Sequence, residues 1–174
     1  SLGAGARLSA DDPQLTGMLT MLDDTLASVR RLSTDLRPLM LDDLGLTAAI
    51  EWLARETSRR MGIDVHLLSA ELETELNDKV STALYRMVQE ALTNIARHAS
   101  ASEVEIRIQP RRDRLVLTVS DNGVGFPADA MQREGSYGLM GMRERAQMLG
   151  GSLALENLAK GGGRLTVSLP LDRA

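Results

Sequence analysis

Cysteine is absent from the 174 residues of this chain, which excludes a disulfide framework, a thiol nucleophile and thiolate-ligated zinc or iron–sulfur centres. Histidine is nearly as scarce: His66 and His98 are the only imidazoles, too few for a histidine-based metal cluster. An excess of positive charge is lacking as well. The formal net charge is -4, and this mild acidity argues against a nucleic-acid partner, because duplex affinity rests on a concentrated basic surface. No apolar run approaches the ~20 residues that cross a bilayer, so no membrane contact is expected of this piece. The chain opens on Ser1 and not on Met, so it reads as a fragment or a processed product, and its parent's address stays open. What remains is a globular composition, 43% apolar and 25% charged. At 18.9 kDa it is one domain, with or without a helical appendage. A chain of this size hides roughly 70% of its unfolded surface.

Residues 1–11 read as a disordered or added lead. Asp12 is then an N-cap candidate with Pro13 at the first helical position, where its missing N–H is harmless. Leu15, Leu19, Leu22, Leu26, Val29, Ser33 and Leu36 follow at alternating spacings of four and three, the seam of a coiled-coil-like helix that needs a partner. Pro38 ends it, and Leu41-Asp42-Asp43-Leu44-Gly45-Leu46 reads as a turn into a second helix over 47–61, closed by Gly62. Beyond Gly62 short β-type runs alternate with helices, the pattern of an α/β domain. Strands are expected at 63–68, 104–108, 115–120, 152–156 and 165–169, with helices at 78–99 and 143–149. A glycine-punctuated loop fills 121–141.

Three strings carry chemistry. In the long helix, Leu84, Val88, Ala91 and Ile95 form an apolar stripe, and Glu90, Asn94 and Arg97 project beside it. A carboxylate, a carboxamide and a guanidinium so placed can present a base, a metal-ligating oxygen and a phosphate-pairing cation to one ligand. Taken alone, this helix is better read as a solvated flank. Strict alternation in the strand puts Asp121 on the side of Leu115, Leu117 and Val119, so its carboxylate points into apolar surroundings and needs a hydrogen-bond donor. A purine amino group would serve. Gly123 and Gly125 follow, free to approach a ligand or adopt positive φ, although the string by itself is also an ordinary Asn-Gly turn. Finally Gly138-Leu139-Met140-Gly141 precedes the helix at 143–149, gathering backbone amides at a helix N-terminus where phosphate is favoured. The intervening 127–137 stretch can close over a ligand. No Gly-Lys-Ser/Thr follows the glycines, so this is not a Walker P-loop.

In order and spacing, these strings together resemble the ATP-binding domain of two-component sensor histidine kinases, of the superfamily shared with DNA gyrase, heat-shock chaperone and mismatch-repair ATPases. The run Gln89-Glu90-Ala91-Leu92-Thr93-Asn94-Ile95-Ala96-Arg97-His98-Ala99 is similar to that family's N box, 121–126 to its first glycine box and 138–145 to its second. Leu36-Arg37-Pro38 and Leu41-Asp42-Asp43-Leu44-Gly45-Leu46 are similar to the junction after the dimerisation helices in the nitrate-sensor subgroup.

The resemblance implies an α/β two-layer sandwich of the Bergerat type, a mixed sheet covered by helices. A partial dimerisation helix and junction (12–45) would precede the catalytic domain (46–174). It implies ATP and Mg²⁺ as ligands, with Asn94 on the metal, Glu90 as general base or orienting group, and Asp121 on the adenine amino group. Gly123 and Gly125 would give adenine-side access, and Gly138, Leu139 and Gly141 the lid and its phosphate-facing amides. Arg97 stands where the subgroup commonly has Lys and would pair with phosphate. His98 joins the same box, with local hydrogen bonding as its expected role. The implied activity is transfer of the γ-phosphoryl group to a His on a dimerisation helix, for relay to a response regulator receiver domain. The implied setting is a cytoplasmic homodimer whose parent's inner-membrane anchoring is open. Two departures stand out. Arg164 follows Gly163 where the family often has Thr, with Thr166 a poor substitute, and neither His66 nor His98 fits the phosphoacceptor. Alternatives are the nucleotide-binding module of an inactive kinase and an anti-sigma serine kinase-like protein.

Overall fold

The computed structural model describes Met21 and residues 39–70, 76–132 and 136–171. The lead at 1–11 and all of the seam helix expected from Pro13 to Leu36 except Met21 lie outside the described residues. The chain divides into two compact units, Ser1–Arg37 and Pro38–Ala174, and the second carries the sheet and the helices that cover it.

Helix α1 (Leu39–Met61) starts earlier than the sequence suggests. The Leu41–Leu46 run, expected as a turn, is helical up to a kink at Gly45, whose φ of 79° and ψ of 173° only a residue without a Cβ adopts easily. Leu41, Ala49, Ile50 and Leu53 make its buried stripe. Strand β1 (Asp64–Ser69) follows, and then helix α2 (Asp78–Asn94), capped by the Asn77 side chain, which accepts from the Val80 N–H at 2.9 Å. The helical run does extend to Ala99 as expected, but its last five residues, Ile95–Ala99, form a π turn.

Strands β2 (Glu103–Arg111) and β3 (Arg114–Asp121) form a hairpin turning at Arg112, where φ is 58°. Helix α3 (Tyr137–Met148) begins several residues before the expected 143. It stops in a Schellman-type end: Gly151 N–H donates to the Ala146 carbonyl at 2.8 Å and Gly150 N–H to that of Gln147 at 2.9 Å. Strands β4 (Ser152–Asn157) and β5 (Gly163–Pro170) close the fold as an antiparallel pair. The sheet runs β1-β2-β3-β5-β4, with β1 parallel to β2 and every other pair antiparallel. This is the mixed, helix-covered sheet that the sequence implied.

One face of the sheet carries the core. Val104, Ile106 and Ile108 of β2, Leu115, Leu117 and Val119 of β3, and Leu165, Val167 and Leu169 of β5 are buried with Leu84, Met87, Val88 and Ala91 of α2 and Met142 and Ala146 of α3. The other face is polar and self-satisfied. Arg164 Nε donates to Ser120 Oγ at 2.9 Å and its Nη1 to Glu156 at 3.2 Å, while Arg114 Nε donates to Ser168 Oγ at 2.6 Å. No helix among the described residues is long and apolar enough to cross a membrane. Leu117 is fully buried in the central strand, so Leu117→Ala should lower stability by about 2–5 kcal/mol, read from urea unfolding. Thr118→Ala on the open face should move the same curve by less than about 1 kcal/mol.

Candidate nucleotide site

The core side of β3 ends on a charge. Asp121 is only 8% exposed, and the strand's strict alternation is what drives it inward. Its Oδ1 accepts the Gly123 N–H at 2.8 Å, an Asx-type turn that folds the following loop back over the carboxylate. Among the described residues no donor reaches Oδ2. Oδ2 still reaches solvent, so it is an acceptor open to a donor brought by a ligand.

The glycines around it are accounted for by close packing. A Cβ on Gly123 would overlap the Ala99 carbonyl, which also accepts the Val124 N–H at 2.8 Å. The π turn thus delivers the Ala99 carbonyl to the loop, and π turns recur at functional sites for this kind of local re-aiming. Gly125 has φ of 79°, and a Cβ there would stand 2.6 Å from Asn157 Oδ1. Gly138 lies in the first turn of α3, where a Cβ would overlap the Glu90 carboxylate. The backbone of α3 is therefore pressed against Glu90.

Three chain segments distant in sequence converge in this way: the end of α2 with its π turn, the loop after β3, and the start of α3. Glu90 and Asn94 are half-buried there, and neither side chain has a hydrogen-bond partner among the described residues. Leu139 packs against the core, and Gly141 faces open space within α3. Gly138 and Gly141, expected ahead of a helix, are thus inside its first turns.

Two residues of the N-box string are not drawn in. Arg97 is exposed and lines a separate groove of about 260 Å³ between α1 and α2, beside Leu53, Arg60, Met61 and Ala96. His98 is exposed and its imidazole makes no hydrogen bond among the described residues. At the last strand, Arg164 and Thr166 point to the open face, because alternation gives the buried side to Gly163 and Leu165. Neither supplies a hydroxyl near Asp121.

Other contributors escaped the sequence. Asn157, at the end of β4, brackets Phe126: its Oδ1 accepts the Phe126 N–H at 2.7 Å and its Nδ2 donates to the Phe126 carbonyl at 2.9 Å. Asn122 ties the loop to β2, its Oδ1 accepting from the Ser102 and Glu103 N–H groups at 2.9 and 3.1 Å. Asn157 is a lone asparagine that no local pattern marks, whereas Asn122 lies inside the 121–126 string but its partners lie about twenty residues upstream. Arg86, one turn before Glu90, donates to Gln89 at 2.9 Å. Burial lowers its pKa, and the nearby Arg145 charge adds to that.

Residues 79–173 match the family described as histidine kinase-, DNA gyrase B- and HSP90-like ATPases, and the chain belongs to that family. It is 40% identical over 172 residues to the sensor histidine kinase MctS of Rhizobium johnstonii, covering 97% of this chain and 37% of that protein. It is 33% identical to the oxygen sensor histidine kinase NreB of Staphylococcus carnosus, covering 91% and 45%. Among solved structures, the histidine kinase domain of the Erythrobacter litoralis EL346 blue-light activated kinase superposes with a TM-score of 0.63 at 25% identity, over 74% of this chain and 62% of that one. The chain spans less than half the length of these two curated relatives. Residues 79–173 are thus the ATPase domain of this family, and the curated relatives that carry it here are sensor histidine kinases.

Asn157→Ala removes two hydrogen bonds and should lower stability by about 1–3 kcal/mol. Asn157→Asp keeps the acceptor for the Phe126 N–H but sets a carboxylate oxygen against the Phe126 carbonyl, so it too should unfold at a lower temperature than the parent.

Proposed function

We propose that this chain holds Mg-ATP between α2, the loop after β3 and the start of α3, and transfers its γ-phosphoryl group to a histidine on a dimerisation helix. The observation that carries it is the buried Asp121 carboxylate with one oxygen committed to its own loop and the other open. An adenine amino group supplies the missing donor, and the apolar strand end favours a flat base over a hydrated ligand.

The donor set also suits magnesium. Among the described residues no cluster of three or more His, Asp or Glu side chains is present to hold a metal, and Mg²⁺ typically takes one or two protein oxygens, substrate phosphates and waters. Asn94, with its amide unengaged, is the protein ligand in this proposal. Bound there, the ion would neutralise charge on the phosphates. Glu90, one turn earlier on the same helix, would orient the incoming imidazole or take up its proton as the nitrogen attacks phosphorus in line and the bond to ADP breaks. Gly138, Leu139 and Gly141 would let the backbone of α3 pack close to the phosphates, and the positive end of that helix favours their charge. Gly123 and Gly125 shape the base side. Arg97 and His98 would contribute only after a rearrangement of the π turn.

His66 lies on β1 and His98 in the π turn, so the acceptor imidazole must come from elsewhere. Relay to a response regulator receiver domain, homodimerisation of the parent and a cytoplasmic site of action belong to the same proposal, supported by the class of its relatives. Asp121→Ala should abolish nucleotide binding while the unfolding transition persists; unchanged ATP affinity in calorimetry would contradict the base assignment. Asn94→Ala should remove most of the magnesium dependence of binding. Given Mg-ATP and a separate acceptor helix, the chain should form acid-labile phosphohistidine. Tight binding with no transfer would identify instead a module in which nucleotide serves only conformation.

A further inference from the structure

Behind the loop after β3 lies a cavity of about 320 Å³ that none of the proposed ATP contacts reaches. Leu153 and Leu155 of β4, Met131, Arg143 and Glu156 line it. Phe126 also lines it, and the same ring faces the other way. Its Cε2 and Cδ2 lie 2.7 and 3.0 Å from the point where a Cβ on Gly163 would stand, and Asp121 Oδ2 lies 3.3 Å from that point. The same aromatic ring therefore lies close to the open carboxylate oxygen and lines the cavity. The ring's backbone is held on both sides by the Asn157 amide, at 2.7 and 2.9 Å, so the partition opens by side-chain rotation or by truncation, and not by loop movement.

We propose that Phe126 is a specificity-determining residue that closes the base side of the nucleotide site, and that the cavity behind it is a latent compartment for a flat apolar group carried on the purine's amino nitrogen. This rests on the assignment of Asp121 to that amino group. A nitrogen donating one hydrogen to Oδ2 carries its other substituent past the carboxylate, into the space the ring now fills. The volume is adequate, about twice the roughly 150 Å³ that holds a benzene, and Leu153, Leu155 and Met131 offer such a group apolar contact beside the polar Arg143 and Glu156. With the Phe126 ring in place the group has no room to enter.

The test measures binding of Mg-ATP, and of Mg-ATP bearing a benzyl group on the adenine amino nitrogen, to the 174-residue chain by calorimetry. The parent should bind ATP and reject the benzyl analogue. Phe126→Ala should shift the ratio of the two affinities toward the analogue by at least about 10-fold, the scale set by small changes of fit in apolar pockets. Phe126→Leu should lie between, and it carries the test if the alanine variant does not fold. An unchanged ratio in whichever of these variants folds overturns the proposal. Asp121→Asn separates the two levels. If it weakens ATP binding while the Phe126 variants leave the ratio alone, only the partition is wrong; if it leaves ATP affinity unchanged, the base assignment fails and the partition with it.

Discussion

The structure depends on a buried carboxylate that its own loop satisfies only halfway. Asp121 sits on the core face of β3 because strand alternation gives it no other choice, and a charge there is tolerated only with donors in place. Gly123 provides one from two residues on. That bond bends the chain sharply enough to lay the loop across the end of α2, where the Ala99 carbonyl receives Val124 and leaves no volume for a side chain on Gly123. Strand, loop and helix end are thereby locked into one arrangement around the remaining oxygen.

The same economy explains the surrounding glycines. Their spacing suggests a cradle for a ligand, yet Gly123, Gly125 and Gly138 are each required by a close protein neighbour: the Ala99 carbonyl, the Asn157 amide and the Glu90 carboxylate. Ligand access and tight packing are not rivals here. A loop that must wrap a nucleotide closely must first lie flat against the scaffold that positions it, and glycine serves both needs. Asn157 and Asn122 pin that loop from β4 and from β2, so the flexible residues sit in a rigid frame.

The π turn bears on the helix residues. Inserting one residue into the last turn changes the direction in which later side chains leave the helix. Glu90 and Asn94 precede the turn and keep the facing that a regular helix predicts, whereas Arg97 and His98 lie within it and are exposed elsewhere. A helical wheel drawn through 90, 94 and 97 therefore overstates how closely the third residue belongs with the first two.

Much of the architecture was legible because it rests on local periodicity. The alternation in β2, β3 and β5, the apolar stripe of α2, and the inward placement of Asp121 all follow from side-chain spacing of two or 3.6 residues, which any segment carries within itself. The early start of α3 was hidden by its glycines, which disfavour helix by propensity; Gly138 is required here by its contact with Glu90, whereas Gly141 faces open space. The helical stretch before Gly45 was likewise hidden by a turn-like composition. The sequence by itself determined the sheet's buried face, the α/β alternation and the identity of the inward-facing acid at the end of β3. Only the tertiary structure decided that Asn157 would clasp Phe126, that Arg97 would be exposed beside a groove between α1 and α2, and that the Phe126 ring would line a cavity with Leu153 and Leu155, because each depends on contacts between segments that no local pattern encodes.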